Sequence, residues 1–159
     1  MSRLSSPAGL ANEPDTLNER VVRFTTAANR SLTPQDHANR VIVISAEFTN
    51  AAQTITLPPA KGTGDKYLIL NNAVLTQDLV IAALGTDVFS GSAFVRSETA
   101  GSTDVFHTTA TSDKYTFDNT TTGGLRGDRV ELIDLAAGTW LVRIEANGSG
   151  TLATGFSQT

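Results

Sequence analysis

Thr139-Trp140-Leu141-Val142-Arg143-Ile144-Glu145 alternates without interruption, with Trp140, Val142 and Ile144 on one side and Leu141, Arg143 and Glu145 on the other. Successive side chains of an extended chain point to opposite faces, so this period of two describes a half-buried β-strand. Upstream, Asp128-Arg129-Val130-Glu131-Leu132-Ile133 forms a companion strand, with residues 134–138 as the connection. Downstream, Asn147-Gly148-Ser149-Gly150 is a turn sequence leading into Thr151–Phe156, which predicts a last hairpin.

The same pattern extends toward the N-terminus. Val41-Ile42-Val43-Ile44 is a short, continuous β-branched run, the mark of a strand covered on both faces. Thr54-Ile55-Thr56-Leu57 alternates and is stopped by Pro58-Pro59, which cannot donate to a ladder. Gly62-Thr63-Gly64-Asp65 turns into Lys66-Tyr67-Leu68-Ile69-Leu70. Leu79-Val80-Ile81 follows, then Asp87-Val88-Phe89, a Ser90-Gly91-Ser92 break and Ala93-Phe94-Val95. Turn signals about every ten residues predict a meander-like antiparallel order. Val21–Thr26 makes a first strand. Thr33 caps a helical turn with Pro34 at its first position. Residues 97–125, anchored only by Val105-Phe106, Tyr115 and Phe117, carry weaker strands and longer loops.

Composition agrees. The chain of 159 residues contains 23 threonines, stiff at χ1 and suited to a pleated surface, while helix formers are scarce. The expected fold is all-β: an antiparallel β-sandwich or barrel-like body over residues 21–159 with one short helical turn. Residues 1–20, with Pro7, Gly9, Pro14 and scattered leucines, sustain no period and predict an extended N-terminal arm. A body of this size buries about two-thirds of its unfolded surface, enough for one sandwich.

Charge and residue types exclude several chemistries. There is no cysteine for a disulfide or thiolate site, and a formal charge of −4 with pI near 5.0 argues against nucleic acid as a partner. Residues 46–159 carry most of the acidity. No apolar stretch suits a signal peptide or a membrane helix, which predicts a soluble protein made in a cytoplasm and without a membrane partner. His37 and His107 have no second histidine at ligand spacing, so no metal and no cofactor are expected. Lys61-Gly62-Thr63-Gly64-Asp65-Lys66 superficially resembles a phosphate cradle but precedes a strand rather than a helix. Asp128, Glu131 and Asp134 suggest a carboxylate pair, yet on a strand Glu131 faces away from the other two.

In order along the chain, Leu32-Thr33-Pro34-Gln35-Asp36-His37-Ala38-Asn39-Arg40-Val41-Ile42-Val43-Ile44, Thr54-Ile55-Thr56-Leu57-Pro58, Gly64-Asp65-Lys66-Tyr67, Asp87-Val88-Phe89-Ser90-Gly91, Gly127-Asp128-Arg129-Val130-Glu131-Leu132 and Gly138-Thr139-Trp140-Leu141-Val142 form a recognisable series. The series resembles small β-rich modules of tailed bacteriophages, found in capsid decoration (cement) proteins and in parts of tail fibres. It covers residues 30–145 and leaves the arm outside. The resemblance implies a non-enzymatic virion protein on the outer capsid surface. It further implies a homotrimer whose partners are its own copies and the major capsid protein, produced in the host bacterial cytoplasm. Capsid contact is expected from residues 1–30 and the first strand: Arg3, Arg20 and Arg23, whose guanidinium forks suit interface carboxylates, with Leu4, Leu10 and Leu17. A tail-fibre module reading a host glycan through loops in 97–125 is the first alternative, though the repeats of a fibre shaft are missing. A glycan-active enzyme using Asp128 or Asp134 is the second.

Overall fold

The computed structural model describes residues 21–45, 51–99 and 101–158. The strands are β1 (Val21–Phe24), β2 (Arg30–Ser31), β3 (Arg40–Ile44), β4 (Gln53–Thr56), β5 (Lys66–Asn71), β6 (Leu79–Ala82), β7 (Val88–Ser97), β8 (Thr103–His107), β9 (Lys114–Phe117), β10 (Arg129–Ala136), β11 (Thr139–Gly148) and β12 (Phe156–Ser157). One helical turn, α1 (Pro34–His37), lies between β2 and β3. The fold is all-β, as the alternation predicts. Sheet A has seven strands in the order β1-β3-β5-β10-β11-β7-β8, and sheet B has five in the order β12-β9-β6-β4-β2.

The pairing, however, is mixed rather than antiparallel throughout. From β1 to β6 the chain crosses between the sheets at every connection, so β1, β3 and β5 align parallel in sheet A and β2, β4 and β6 parallel in sheet B. A chain that leaves a sheet and returns in the same sense has to pair in parallel. Here the return passes through a strand of the opposite sheet, giving a two-sided coil instead of a meander. The second half closes the coil with hairpins. β7 and β8 pair antiparallel at one edge, and the β10–β11 hairpin fills the gap between β5 and β7, antiparallel to the first and parallel to the second.

Two local expectations are also corrected. Ser90-Gly91-Ser92 is no break, because β7 runs unbroken through it. The final hairpin is absent: β11 continues to Gly148, and the chain then crosses to sheet B, where Phe156 pairs with Tyr115.

Facing apolar rows hold the layers together. One row crosses the whole of sheet A through Val22, Ile42, Ile69, Val130, Ile144, Ala93 and Phe106. Against it sheet B places Ile55, Ile81, Tyr115 and Phe117, all buried. Trp140, the alternating strand's largest residue, is 1% exposed and stands edge-on to Tyr67 with centroids 5.5 Å apart. That geometry adds about 1 kcal/mol to the burial of the two rings. Thr33 caps α1 as the sequence predicts, its hydroxyl accepting from the Asp36 backbone N–H at 3.3 Å.

Candidate interaction surface

Of the residues expected to contact a capsid, Arg23 is described and Arg3, Leu4, Leu10, Leu17 and Arg20 lie outside the described residues. Arg23 is exposed on β1, the first strand of sheet A, whose one neighbour in the sheet among the described residues is β3. Its outward side chain begins a row that crosses the sheet through Val43, Leu70, Arg129, Glu145, Phe94 and Val105. The adjacent row holds Val21, Val41, Leu68, Glu131, Arg143, Ser92 and His107. A third, shorter row holds Lys66, Ile133, Leu141 and Ser90.

This outer face is unusual for a solvated sheet. Val41, Val43, Leu68, Leu70, Ile133 and Leu141 are half-buried apolar side chains where an alternating strand would place polar ones. Val21, Phe94 and Val105 are more open still, at 40%, 37% and 51% exposure. At the centre, Arg129 stands opposite Glu145 and Glu131 opposite Arg143, a square of alternating sign around a hollow of about 80 Å³. Arg129 Nη2 lies 3.4 Å from Glu131 Oε2 along the strand. Shallow hollows flank the square, one beside Val41 and Leu68 and one beside Phe94 and Val105. The alternations Arg129-x-Glu131 and Arg143-x-Glu145 are present in the sequence, but only the β10–β11 register turns them into a square.

The two aspartates of the enzyme alternative are both buried and both serve the fold. Six residues apart on one extended segment, their Cα atoms are separated by about 20 Å, well beyond the spacing of a glycosidase pair. Asp134 accepts from the backbone N–H groups of Lys61, Gly62 and Thr63 at 2.8, 2.7 and 3.0 Å. The loop that resembled a phosphate cradle thus turns its amides toward the chain's own carboxylate. Asp128 accepts from Gly124 N at 2.5 Å and from Asn147 N and Nδ2 at 2.8 and 3.0 Å. His37 Nδ1 lies 3.0 Å from Thr33 N within the α1 turn, while His107 is exposed on β8. Among the described residues no group of three or more His, Asp or Glu side chains is placed to hold a metal ion.

The stretch proposed for glycan reading is ordered by its own hydrogen bonds near its end. Asp118 accepts from the backbone N–H groups of Thr120, Thr121 and Thr122 and from the Thr121 hydroxyl. Tyr115 donates its hydroxyl to Thr122 O at 2.7 Å. Although burial pushes the Asp118 carboxyl up, these bonds outweigh it and hold the group down at about 2.

Asp128 behaves in the opposite way. Burial dominates over its hydrogen bonds to Gly124 and Asn147 and raises its pKa to about 6. Between pH 6 and the ordinary carboxylate value the folded state therefore holds a proton that the unfolded state has released. Stability consequently falls as pH rises through that window. A shift of about two units corresponds to about 3 kcal/mol between the limits. Urea unfolding of Asp128→Asn at pH 4.5 and pH 7 is expected to lose most of the change in stability that the native chain shows over this interval; an unchanged difference would assign it elsewhere.

In comparisons with protein-family models, curated proteins and solved structures, no significant match to this chain was found.

Proposed function

We propose that the chain is a bacteriophage capsid decoration protein: a non-enzymatic virion component that binds the outer surface of the shell, contacts the major capsid protein and stabilises the assembled state. The observation that carries this reading is the edge of sheet A, where among the described residues β1 has β3 as its one partner in the sheet and directly follows residues 1–20 in sequence. An edge strand offers a row of main-chain donors and acceptors to a partner strand, and Arg23 beside it supplies a fork for a partner carboxylate. Behind the edge stands a two-layer body whose buried aspartates are committed to its own loops. Such a body suits a spacer or clamp. A ligand that binds only assembled shells shifts assembly toward them by linkage, and several attachments on one shell multiply the effect.

A chain lacking residues 1–20 is expected to keep the far-ultraviolet dichroism and melting profile of the body but to co-sediment with purified shells at least ten-fold more weakly. Undiminished co-sedimentation would remove the N-terminal segment from the attachment. The tail-fibre alternative is favoured by the two-sided coil of β1–β6, a winding that further turns extend. Binding to whole host cells with none to shells would decide for it.

A further inference from the structure

We propose that the outer face of sheet A is the contact between two copies of this chain, packed face to face about a two-fold axis that runs parallel to the strands between β10 and β11. The inference needs sheet A alone and stands independently of shell binding.

A two-fold axis lying in the plane of contact exchanges the two sides of the face, so a position on β10 meets the position of the same row on the partner's β11. Arg129 then faces a second Glu145, and Glu131 faces a second Arg143; by symmetry each contact occurs twice. Among the described residues Arg143 and Glu145 form no ion pair within the chain, which leaves them available. The square is self-complementary because its diagonals carry equal charge. A face of one sign, or one with the two signs on separate ends of the strands, would repel its own copy under this operation.

The apolar positions follow the same operation. Beyond the square, β5 passes over the partner's β7 and β3 over its β8. Leu70 meets Phe94, Val43 meets Val105, and in the short row Ile133 meets Leu141. In the remaining positions Val41 meets His107, Leu68 meets Ser92 and Lys66 meets Ser90, so no like charges are brought together. An in-plane axis perpendicular to the strands also matches the square, but it moves Ile133 and Leu141 off one another, which selects the strand-parallel axis. Aligned sheets pack about 10 Å apart with their strands crossed by about 30°, so the match is tightest at the centre, where the charges lie.

Size is adequate. Strands about 4.8 Å apart and outward rows about 6.8 Å apart give a footprint of roughly 600 Å² per copy, or about 1,200 Å² in total, the lower end of the range for specific interfaces. The apolar positions supply the attraction, while the square fixes register and orientation, since buried ion pairs contribute more to specificity than to affinity. A three-fold arrangement instead joins two different patches head to tail, and a face complementary to itself is built for two copies.

Sedimentation velocity of the full-length chain over a concentration series tests this. The native chain is expected to form a dimer. Glu145→Arg, which puts Arg129 against a second arginine twice, is expected to weaken dimerisation at least ten-fold with the far-ultraviolet dichroism unchanged. The double variant Arg129→Glu/Glu145→Arg restores opposite signs across the strand-parallel axis and is expected to recover the dimer. About the perpendicular axis the same double variant sets the carboxylate introduced at position 129 against a second Glu131, so failure to recover overturns the proposed geometry. A monomer at all concentrations, whether residues 1–20 or a foreign protein covers the face, overturns the proposal. A trimer, or a dimer indifferent to Glu145→Arg, does so equally.

Discussion

Replacing Gly91 with alanine is expected to destabilise the body by more than about 4 kcal/mol, an unusually large effect for adding a single methyl group. Gly91 sits in mid-strand, paired in register with Val142 of β11, at a φ of +155°. A Cβ built on it would lie 1.8 Å from the Val142 carbonyl oxygen. That oxygen has no room to retreat, since β11 is held by β10 on its other side, with Val142 itself paired to Leu132. Nor is β7 free to move away: Gly91 N donates to Thr108 Oγ1 at 3.0 Å, and Gly91 O accepts from Thr108 N at 3.1 Å. A domain of this size has a total stability of roughly 5–15 kcal/mol, so the variant loses a large fraction of it and its melting temperature falls by more than about 10 °C. Gly85→Ala is the matched control. Gly85 also has positive φ, +66°, but nothing lies within 4 Å of its Cβ position, so its cost is the conformational term of about 1 kcal/mol. Equal melting temperatures for the two variants would show that close approach at β7–β11 is not the constraint.

Gly91 also marks where a sequence stops being legible. Ser-Gly-Ser in a chain of short strands has the composition of a turn, and the glycine is there for a different reason, the proximity of another backbone contributed from residue 142. Periodicity located the strands because it reports which face of each segment is buried: Trp140, Val142 and Ile144 are indeed buried while Arg143 and Glu145 are exposed. The cap at Thr33 was legible for a similar reason, being a matter of neighbouring residues. Pairing was not. Pro58-Pro59 and Gly62-Thr63-Gly64 stop one strand and start the next whether the chain reverses within a sheet or crosses to the other, so local signals do not separate a meander from a coil. The same limit applies to the interaction surface. Arg129, Glu131, Arg143 and Glu145 could be assigned outward by parity, but their arrangement as a self-complementary square depends on which residues stand opposite across β10 and β11.

Asp134→Ala is expected to cost about 3–5 kcal/mol, because it removes one acceptor group from several donors at once. Asp134, a residue 3% exposed on β10, receives Lys61 N and Gly62 N on Oδ1 and Thr63 N and Thr63 Oγ1 on Oδ2. These donors belong to the connection that carries the chain from β4 in sheet B to β5 in sheet A, so the side chain fastens a crossing between layers. The same end of the body is fastened again by Asp87, whose Oδ2 accepts from Ala60 N at 2.6 Å, and by Gly138 N on Ala60 O at 3.1 Å. Losing Asp134 thus leaves the strands paired and the Asp87 bond in place, but the crossing without the charge-assisted bonds from Lys61, Gly62 and Thr63. Asp134→Asn should fall between the alanine variant and the native chain. Its one remaining oxygen can serve Lys61 and Gly62, but its amide N–H₂ then faces the Thr63 N–H, donor against donor.

The pH dependence provides an independent check. Burial acts to raise the Asp134 carboxyl, but the bonds from Thr63, Gly62 and Lys61 prevail and hold it below the ordinary range. A depressed folded-state value means the stabilisation is complete above the unfolded value and is lost as pH falls through the folded one. Urea unfolding at neutral and acid pH should therefore show the native chain and Asp134→Asn converging in stability as the pH drops. A gap that stays constant into acid would mean that the loss at neutral pH comes from packing and not from the ionised carboxylate.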